Sequence, residues 1–301
     1  MLLFKELKRL LPLHKENLTA LESICRAKDG TVSSVCSSTE FNCRRDIPVF
    51  FLAMDGTKLV GYLSVFLPEE TSAEINVLIH PDYRRQGIFT ALLLRAKTAL
   101  SAVGTKEFIF VCEPSATDST AAMLAMQAEK RSSEYRMLLE SSSASALSPC
   151  NTGASSRLTV SGTPGKLLEA TPDDLPLLGK MNALFFETSE EMGELFAEDS
   201  YYTPGITVYK YVITDEHKKT VPIGTVCFYE EEHSGNIFGL GILPEYRGHG
   251  YGKDLLSALL TRIPADKKIY LQVSGRNAAA FQLYQKTGFK ITAQQDFWLL
   301  P

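Results

Sequence analysis

The sequence predicts an α+β protein built from two copies of one fold, and an internal repeat with matching flanks carries that expectation. Pro81-Asp82-Tyr83-Arg84-Arg85-Gln86-Gly87 matches Pro244-Glu245-Tyr246-Arg247-Gly248-His249-Gly250, with each pair 163 residues apart. An offset of that size indicates a duplicated domain rather than a solenoid. The flanks repeat as well. A hairpin candidate comes first, then an apolar strand-like run, the turn, a helical pattern and a further strand.

Each element has a local signal. Before the first turn, Phe50–Met54 reverses through Asp55-Gly56 into Leu59–Val65, and Glu74–Ile79 follows. Before the second, Thr207–Val212 precedes Ile223–Phe228, and Ile237–Leu243 follows. After the second turn Leu255, Leu256, Leu259, Leu260 and Ile263 share one helical face, opposite Lys253, Asp254, Ser257 and Thr261. Phe108–Val111 and Ile269–Val273 read as the closing strands. These patterns set domains at 1–140 and 166–301. A linker over 141–165 is rich in Ser, Gly, Thr and Pro, with a weak strand signal at Leu158-Thr159-Val160. The second domain opens with Lys166–Ala170. Thr171 is then placed as an N-cap and Pro172 at the first helical position of a helix reaching about Phe186.

The chain start, Met1 to Leu11, is apolar at helical spacing with charges inside the run. A signal peptide would keep its apolar stretch unbroken, and a spanning helix needs about 20 apolar residues. The segment is therefore expected to be an amphipathic core helix, with a membrane-surface helix as the other reading. A net charge of -4 without a basic run argues against nucleic acid as partner. The six cysteines form no C-x-x-C pair, and the five histidines are isolated. No metal site or disulfide framework is expected, and the chain is placed in a reducing cytoplasm.

Residues 247–252 carry the most chemistry. A strand runs into a glycine-studded turn that opens a helix, where the first N–H groups lack internal acceptors and sit at the positive end of the dipole. Such a turn suits a pyrophosphate. Arg247 offers a charge-assisted contact, or pairs with an acid of its own domain. The G-x-x-x-x-G-K-[ST] loop is absent, and Gly248, Gly250 and Gly252 lack the G-x-G-x-x-G dinucleotide spacing. A tight turn that needs glycine only for steric reasons fits the same residues.

The run Ile242 to Gly252 resembles motif A of the GNAT acetyltransferases, with its [RQ]-x-x-G-x-[GA] core. Asn277, Ala280, Leu283-Tyr284 and Gly288-Phe289 resemble motif B of that family. The likeness spans 166–301 and, more loosely, 1–140. It implies tandem acyl-CoA N-acyltransferase domains, each a mixed, mostly antiparallel sheet flanked by helices. It further implies acetyl-CoA as donor and a small-molecule or peptide amine as acceptor. The amides of His249, Gly250, Tyr251, Gly252 and Lys253 would hold the pyrophosphate. Leu240 and Ile242 would meet the thioester and pantetheine through their main chain, and Asn277 would bond the pantetheine arm. Tyr284 would protonate the leaving thiolate, the chemistry of a general acid; a core tyrosine on an amphipathic helix is the other reading of that residue.

No general base is identified. Where many members of the family carry a glutamate, the second copy has Asn236, Ile237, Phe238 and Gly239, and Glu230 to His233 read as a solvated hairpin turn. Glu187, Glu190, Glu191, Glu194, Glu198 and Asp199 form an acidic run without Lys or Arg. It reads as a solvated helical face, or as a wall suited to a cationic acceptor. In the first copy Phe89 replaces the last motif glycine, and Leu124 is aligned with Tyr284. Glu74 sits where the family often carries its base. That copy reads as a weak acetyl-CoA site or as scaffold, and the chain as a C-terminal acetyltransferase or, alternatively, a non-catalytic acyl-CoA-binding sensor or assembly module.

Overall fold

The computed structural model describes residues 2–39, 42–140, 165–215 and 217–301. The linker expected over 141–165, apart from Gly165, and the strand signal at 158–160 lie outside the described residues. The chain divides into two compact units, residues 1–134 with 293–301, and residues 135–292.

The first unit contains β1 (Leu3–Leu7), α1 (Pro12–Asp29), β2 (Phe50–Asp55), β3 (Lys58–Phe66) and β4 (Ser72–Ile79). Then come α2 (Ile88–Ser101), β5 (Glu107–Cys112), α3 (Thr117–Ala125) and the start of β6 (Glu129–Leu139). Strands β1 to β4 pair antiparallel in succession, whereas β4 and β5 run parallel over Ser72–Ile75 and Glu107–Phe110. The chain's last strand, β12 (Lys290–Leu299), pairs antiparallel with β5, from Asp296 opposite Cys112 to Leu299 opposite Ile109. Trp298 and Leu300 accordingly belong to the core of this unit.

The expected N-terminal helix is a strand instead. Pro12 occupies the first turn of α1, which leaves too few residues ahead of it for a helix with its own stability. Extended, the same residues satisfy the outer edge of β2, with Leu3 opposite Met54 and Leu7 opposite Phe50. Phe4 then lies under the Arg95 guanidinium, 4.3 Å from ring centre to Cζ.

The second unit holds the end of β6 and β7 (Lys166–Glu169), then α4 (Leu175–Phe186) and α5 (Glu190–Tyr202). These are followed by β8 (Ile206–Thr214), β9 (Thr220–Glu230), β10 (Ser234–Ile242), α6 (Tyr251–Leu260), β11 (Lys268–Ser274) and α7 (Ala278–Lys286). Strands β7 to β10 pair antiparallel, and β10 runs parallel to β11. The unit therefore has the mixed, mostly antiparallel sheet that the family resemblance implies. One apolar core lies against α6 and α7, with Leu255, Leu256 and Leu259 fully buried, and another lies against α4 and α5.

The expected cap at Thr171 opens a 3-10 turn, Pro172–Asp174, ahead of α4. Asp174 reaches back to accept from the Thr171 N–H and hydroxyl, both at 2.8 Å, and its carboxylate also pairs with Lys210 at 2.6 Å. Helices α4 and α5 touch through glycine. A β-carbon at Gly193 would overlap the Gly179 carbonyl, so no larger residue fits this crossing.

Candidate active site

Both copies build the same turn. Gly250 and Gly87 precede their helices with φ of +88° and +77°, where an L side chain is strained. Gly248 has φ +80°, and Arg85 takes its place in the first copy at +61°. The first arginine braces each turn. Arg247 Nε donates to the Ile242 carbonyl at 2.9 Å, and Arg84 Nε to the Ile79 carbonyl at 3.1 Å. An added β-carbon at Gly248 or Gly250 would meet nothing within 4 Å. The turn is therefore an open cradle, the shape a pyrophosphate requires.

At Gly252 three elements meet. A β-carbon there would lie 3.6 Å from Leu283 Cδ2 on α7 and 4.0 Å from Ile242 Cγ1 at the end of β10. The structure thus brings the turn, the end of β10 and α7 together. Of the named amides, that of Lys253 donates to the Gly250 carbonyl at 3.0 Å. His249 lies exposed, its Nδ1 3.4 Å from the Tyr246 carbonyl oxygen. Tyr251 is buried in the core.

Strand β10 has a feature that β4 lacks. Phe238 stands opposite Cys227 but Gly241 stands opposite Thr225, so an extra residue bulges out at Gly239-Leu240, with φ +62° at Gly239. A bulge leaves its extra residue outside the ladder and re-aims the strand. Pairing with β11 covers only Ser234–Ile237, so the two strands part just before the bulge. The β3–β4 register runs unbroken from Gly61–Ile79 to Phe66–Glu74. Glycine inside a strand is the sequence mark of such a bulge, and β10 carries Gly235, Gly239 and Gly241.

Asn277 caps α7, its side-chain oxygen accepting from the Ala280 N–H at 3.0 Å. Tyr284 is buried against Phe289, ring centroids 5.8 Å apart. Burial pushes its phenol up to about 12, so it carries its proton throughout the neutral range. In the first copy Met123, not Leu124, occupies the Tyr284 position. Met123 is fully buried and its carbonyl accepts from the Ala128 N–H at 3.0 Å, as Tyr284 accepts from Phe289. Leu124 is 62% exposed. The alignment slips because the interval from Arg84 to Met123 is two residues longer than that from Arg247 to Tyr284.

The first copy has a half-open cavity of about 380 Å³ between β4, α1, α2 and α3, beside its own turn at Arg84 and Gly87. Its Arg84 is neutralised by Asp29, at 2.7 and 2.8 Å, and by Asp118 at 2.9 Å. Phe89 stacks edge-on to Phe110 across the wall, 5.7 Å between centroids. The paired Arg84 leaves less positive charge for a polyanion at this turn, although Gly87 is as open as Gly250.

On the other side of β10, aromatic rings crowd the bulge. A β-carbon at Gly241 would overlap the Phe185 ring, and one at Gly239 would lie 3.4 Å from Phe196. Phe196 in turn packs edge-on to Phe238 at 6.1 Å. All six carboxylates of the acidic run are exposed, as a solvated face would have them. Glu230 to His233 form the turn between β9 and β10, with Glu230 paired to Lys267 at 2.6 Å. Among the described residues no cluster of His, Cys, Asp and Glu has metal-site geometry, and no helix is long and apolar enough to cross a membrane.

A model of the acetyltransferase (GNAT) family matches residues 15–125 and again 180–289. The chain is 28% identical to the mycothiol acetyltransferase of Propionibacterium freudenreichii subsp. shermanii over 293 residues, covering 93% of this chain and 86% of that protein. In fold it is similar to a GCN5-related N-acetyltransferase from Sphaerobacter thermophilus. The TM-score is 0.75 at 13% identity, covering 100% of this chain and 96% of that one. It is also similar to a tandem GNAT protein from the clavulanic acid biosynthesis pathway, with TM-score 0.65 at 17% identity, covering 99% and 98%. With two family domains in one chain, the protein belongs to the acetyltransferase (GNAT) family and is an N-acetyltransferase.

Proposed function

We propose that the C-terminal copy binds acetyl-CoA over residues 247–252 and passes its acetyl group directly to a primary amine. The observation that carries this reading is the bulge at Gly239-Leu240, present in β10 and absent from β4. A main-chain N–H turned out of the ladder there is fit to stabilise negative charge developing on a carbonyl oxygen. Tyr284 on the adjoining α7 supports the same assignment, because its place in the first copy is held by Met123, which cannot donate a proton.

When bound, acetyl-CoA supplies the acyl group as a thioester. The helix-opening amides at His249, Gly250, Tyr251 and Gly252 hold its pyrophosphate, and Arg247 keeps the turn in shape through its bond to Ile242. The main chain of Leu240 and Ile242 and the side chain of Asn277 align the pantetheine arm. The neutral amine attacks the carbonyl carbon, forming the C–N bond as the C–S bond breaks. Its surplus proton leaves to water, while the Tyr284 hydroxyl gives one to the departing sulfur and is reprotonated from solvent. Holding both reactants at one parted strand pair supplies much of the rate.

Tyr284→Phe tests the assignment. Turnover should fall about a hundredfold, within the usual range for losing a general acid, with acetyl-CoA affinity unchanged by calorimetry. Unaltered turnover would remove Tyr284 from the mechanism.

A further inference from the structure

Helix α5 leaves large apolar side chains in water beside the β10 bulge. Met192, Leu195 and Tyr202 are 51%, 48% and 67% exposed, and at i, i+3 and i+10 they share one face of the helix. Gly193, Ala197 and Ser200 are the residues that α5 buries. Phe196, one turn on from Met192, joins the exposed face to the bulge. Its ring packs on Phe238 at 6.1 Å and would lie 3.4 Å from a β-carbon at Gly239. The exposed ring of Phe186, at the end of α4, adds to the patch 5.3 Å from Phe196. Apolar surface rimmed by polar groups in this way marks an interaction site. Its rim is of one sign. Glu190, Glu191, Glu194, Glu198 and Asp199 are all exposed, and residues 181–209 contain no lysine, arginine or histidine. A solvated helical face accounts for the carboxylates but not for the apolar side chains among them.

Charge decides what covers this face. A second copy meeting it face to face would set its carboxylates against themselves, and an anionic membrane surface would be repelled. Residues 141–164 of the chain itself offer one arginine and no lysine. A segment that alternates basic with apolar residues complements both the rim and the patch. We propose that α5 docks a basic, apolar peptide, and that the free amine of this peptide is the acetyl acceptor. This rests on the reading of the C-terminal copy as the transferase. The carboxylates draw the cationic chain in, its apolar residues cover Met192, Leu195 and Tyr202, and its amine reaches the parted strands at Gly239. Attack of the neutral amine on the thioester carbon forms the amide and releases the thiol, with the surplus proton going to water. Docking acts away from the reacting atoms, so losing it raises KM rather than lowering kcat.

The experiment uses the full chain with acetyl-CoA and the amidated peptide Ala-Leu-Arg-Phe-Arg-Leu-Arg-Arg, whose one primary amine is its N-terminus. A control peptide has glutamate for every arginine, and alaninamide supplies the same amine without a chain to dock. Thiol release gives KM and kcat, and a dye at the C-terminus of each peptide reports binding by anisotropy. Wild type is expected to bind the basic peptide at least tenfold more tightly than the acidic one, with most of the difference lost in about 0.5 M salt. Glu191→Lys with Glu198→Lys, and separately Met192→Ser with Leu195→Ser, should each raise KM for the basic peptide at least tenfold, with the loss in KM rather than kcat. Wild-type acetyl-CoA affinity and Tm establish that both variants fold. Equal binding of the two peptides, KM unmoved in either double variant, or acetylation of alaninamide but not of the bound peptide overturns the proposal. So does a dimer that Met192→Ser with Leu195→Ser dissolves, because the face then belongs to a second copy. Basic-peptide binding that both variants weaken, with neither peptide nor alaninamide acetylated, supports the docking face and strikes instead at the transfer assignment.

Discussion

Glu74 and Tyr284 are both half-buried or buried acids, yet burial gives them different consequences. For Tyr284 it preserves a proton that is already secure at neutral pH, which suits a donor. For Glu74 burial first, and then the neighbouring Glu134 carboxylate, carry the carboxyl up to about 7. The folded chain therefore keeps a proton there that the unfolded chain has released at lower pH. The Glu74 contribution to stability is full in acid and is lost as pH rises from the ordinary carboxyl range through about 7. Glu74→Gln should accordingly raise Tm more at pH 8 than at pH 5, as scanning calorimetry can measure. An equal change at both pH values would mean that Glu74 is not held protonated by its surroundings. Several single residues were legible in the sequence because motif spacing isolates them, Gly250, Asn277 and Tyr284 among them. Met123 was not, since its interval from Arg84 is two residues longer than that from Arg247 to Tyr284 and hides the correspondence.

At the scale of elements, the repeated order of hairpin, strand, turn and helix could be read because each piece declares itself locally. What escaped depends on distant partners. The N-terminal run has apolar residues that satisfy either period, and only pairing with β2, more than forty residues away, decides for a strand. The bulge in β10 is written in Gly239 and Gly241, but glycine in a strand also marks simple close approach, such as that of Phe185 to Gly241. Strand β12 shows the same dependence. Asp296 is 4% exposed and accepts from Lys130 and Ser133 at 2.7 Å and from Gln294 at 2.8 Å. A carboxylate so tied keys the register of the strand. Asp296→Ala should lower the unfolding free energy by about 2–4 kcal/mol, the usual effect of breaking a buried charged network. Urea titration monitored by Trp298 fluorescence reads it directly. A loss below about 0.5 kcal/mol, the range of ordinary surface substitutions, would show that the network does not hold the strand.

For the whole molecule, duplication left two copies with unequal equipment. Each unit has its own core and its own glycine turn, and the first takes its last strand from the far end of the chain. No propensity scale foretells that exchange, because strand-forming residues do not specify which sheet they join. The first copy retains a cavity but has Arg84 neutralised, Phe89 in place of glycine, Met123 in place of tyrosine and no bulge in β4. The second has the bulge and the tyrosine. On the proposed function, acetyl transfer belongs to this second copy. It is tested most directly by thiol release from acetyl-CoA with a panel of primary amines, comparing Gly250→Glu with Gly87→Glu. Each change puts the same bulk and charge at the same left-handed position of its turn. Gly250→Glu is expected to abolish turnover and Gly87→Glu largely to preserve it; turnover that survives the first change and disappears with the second would contradict the assignment.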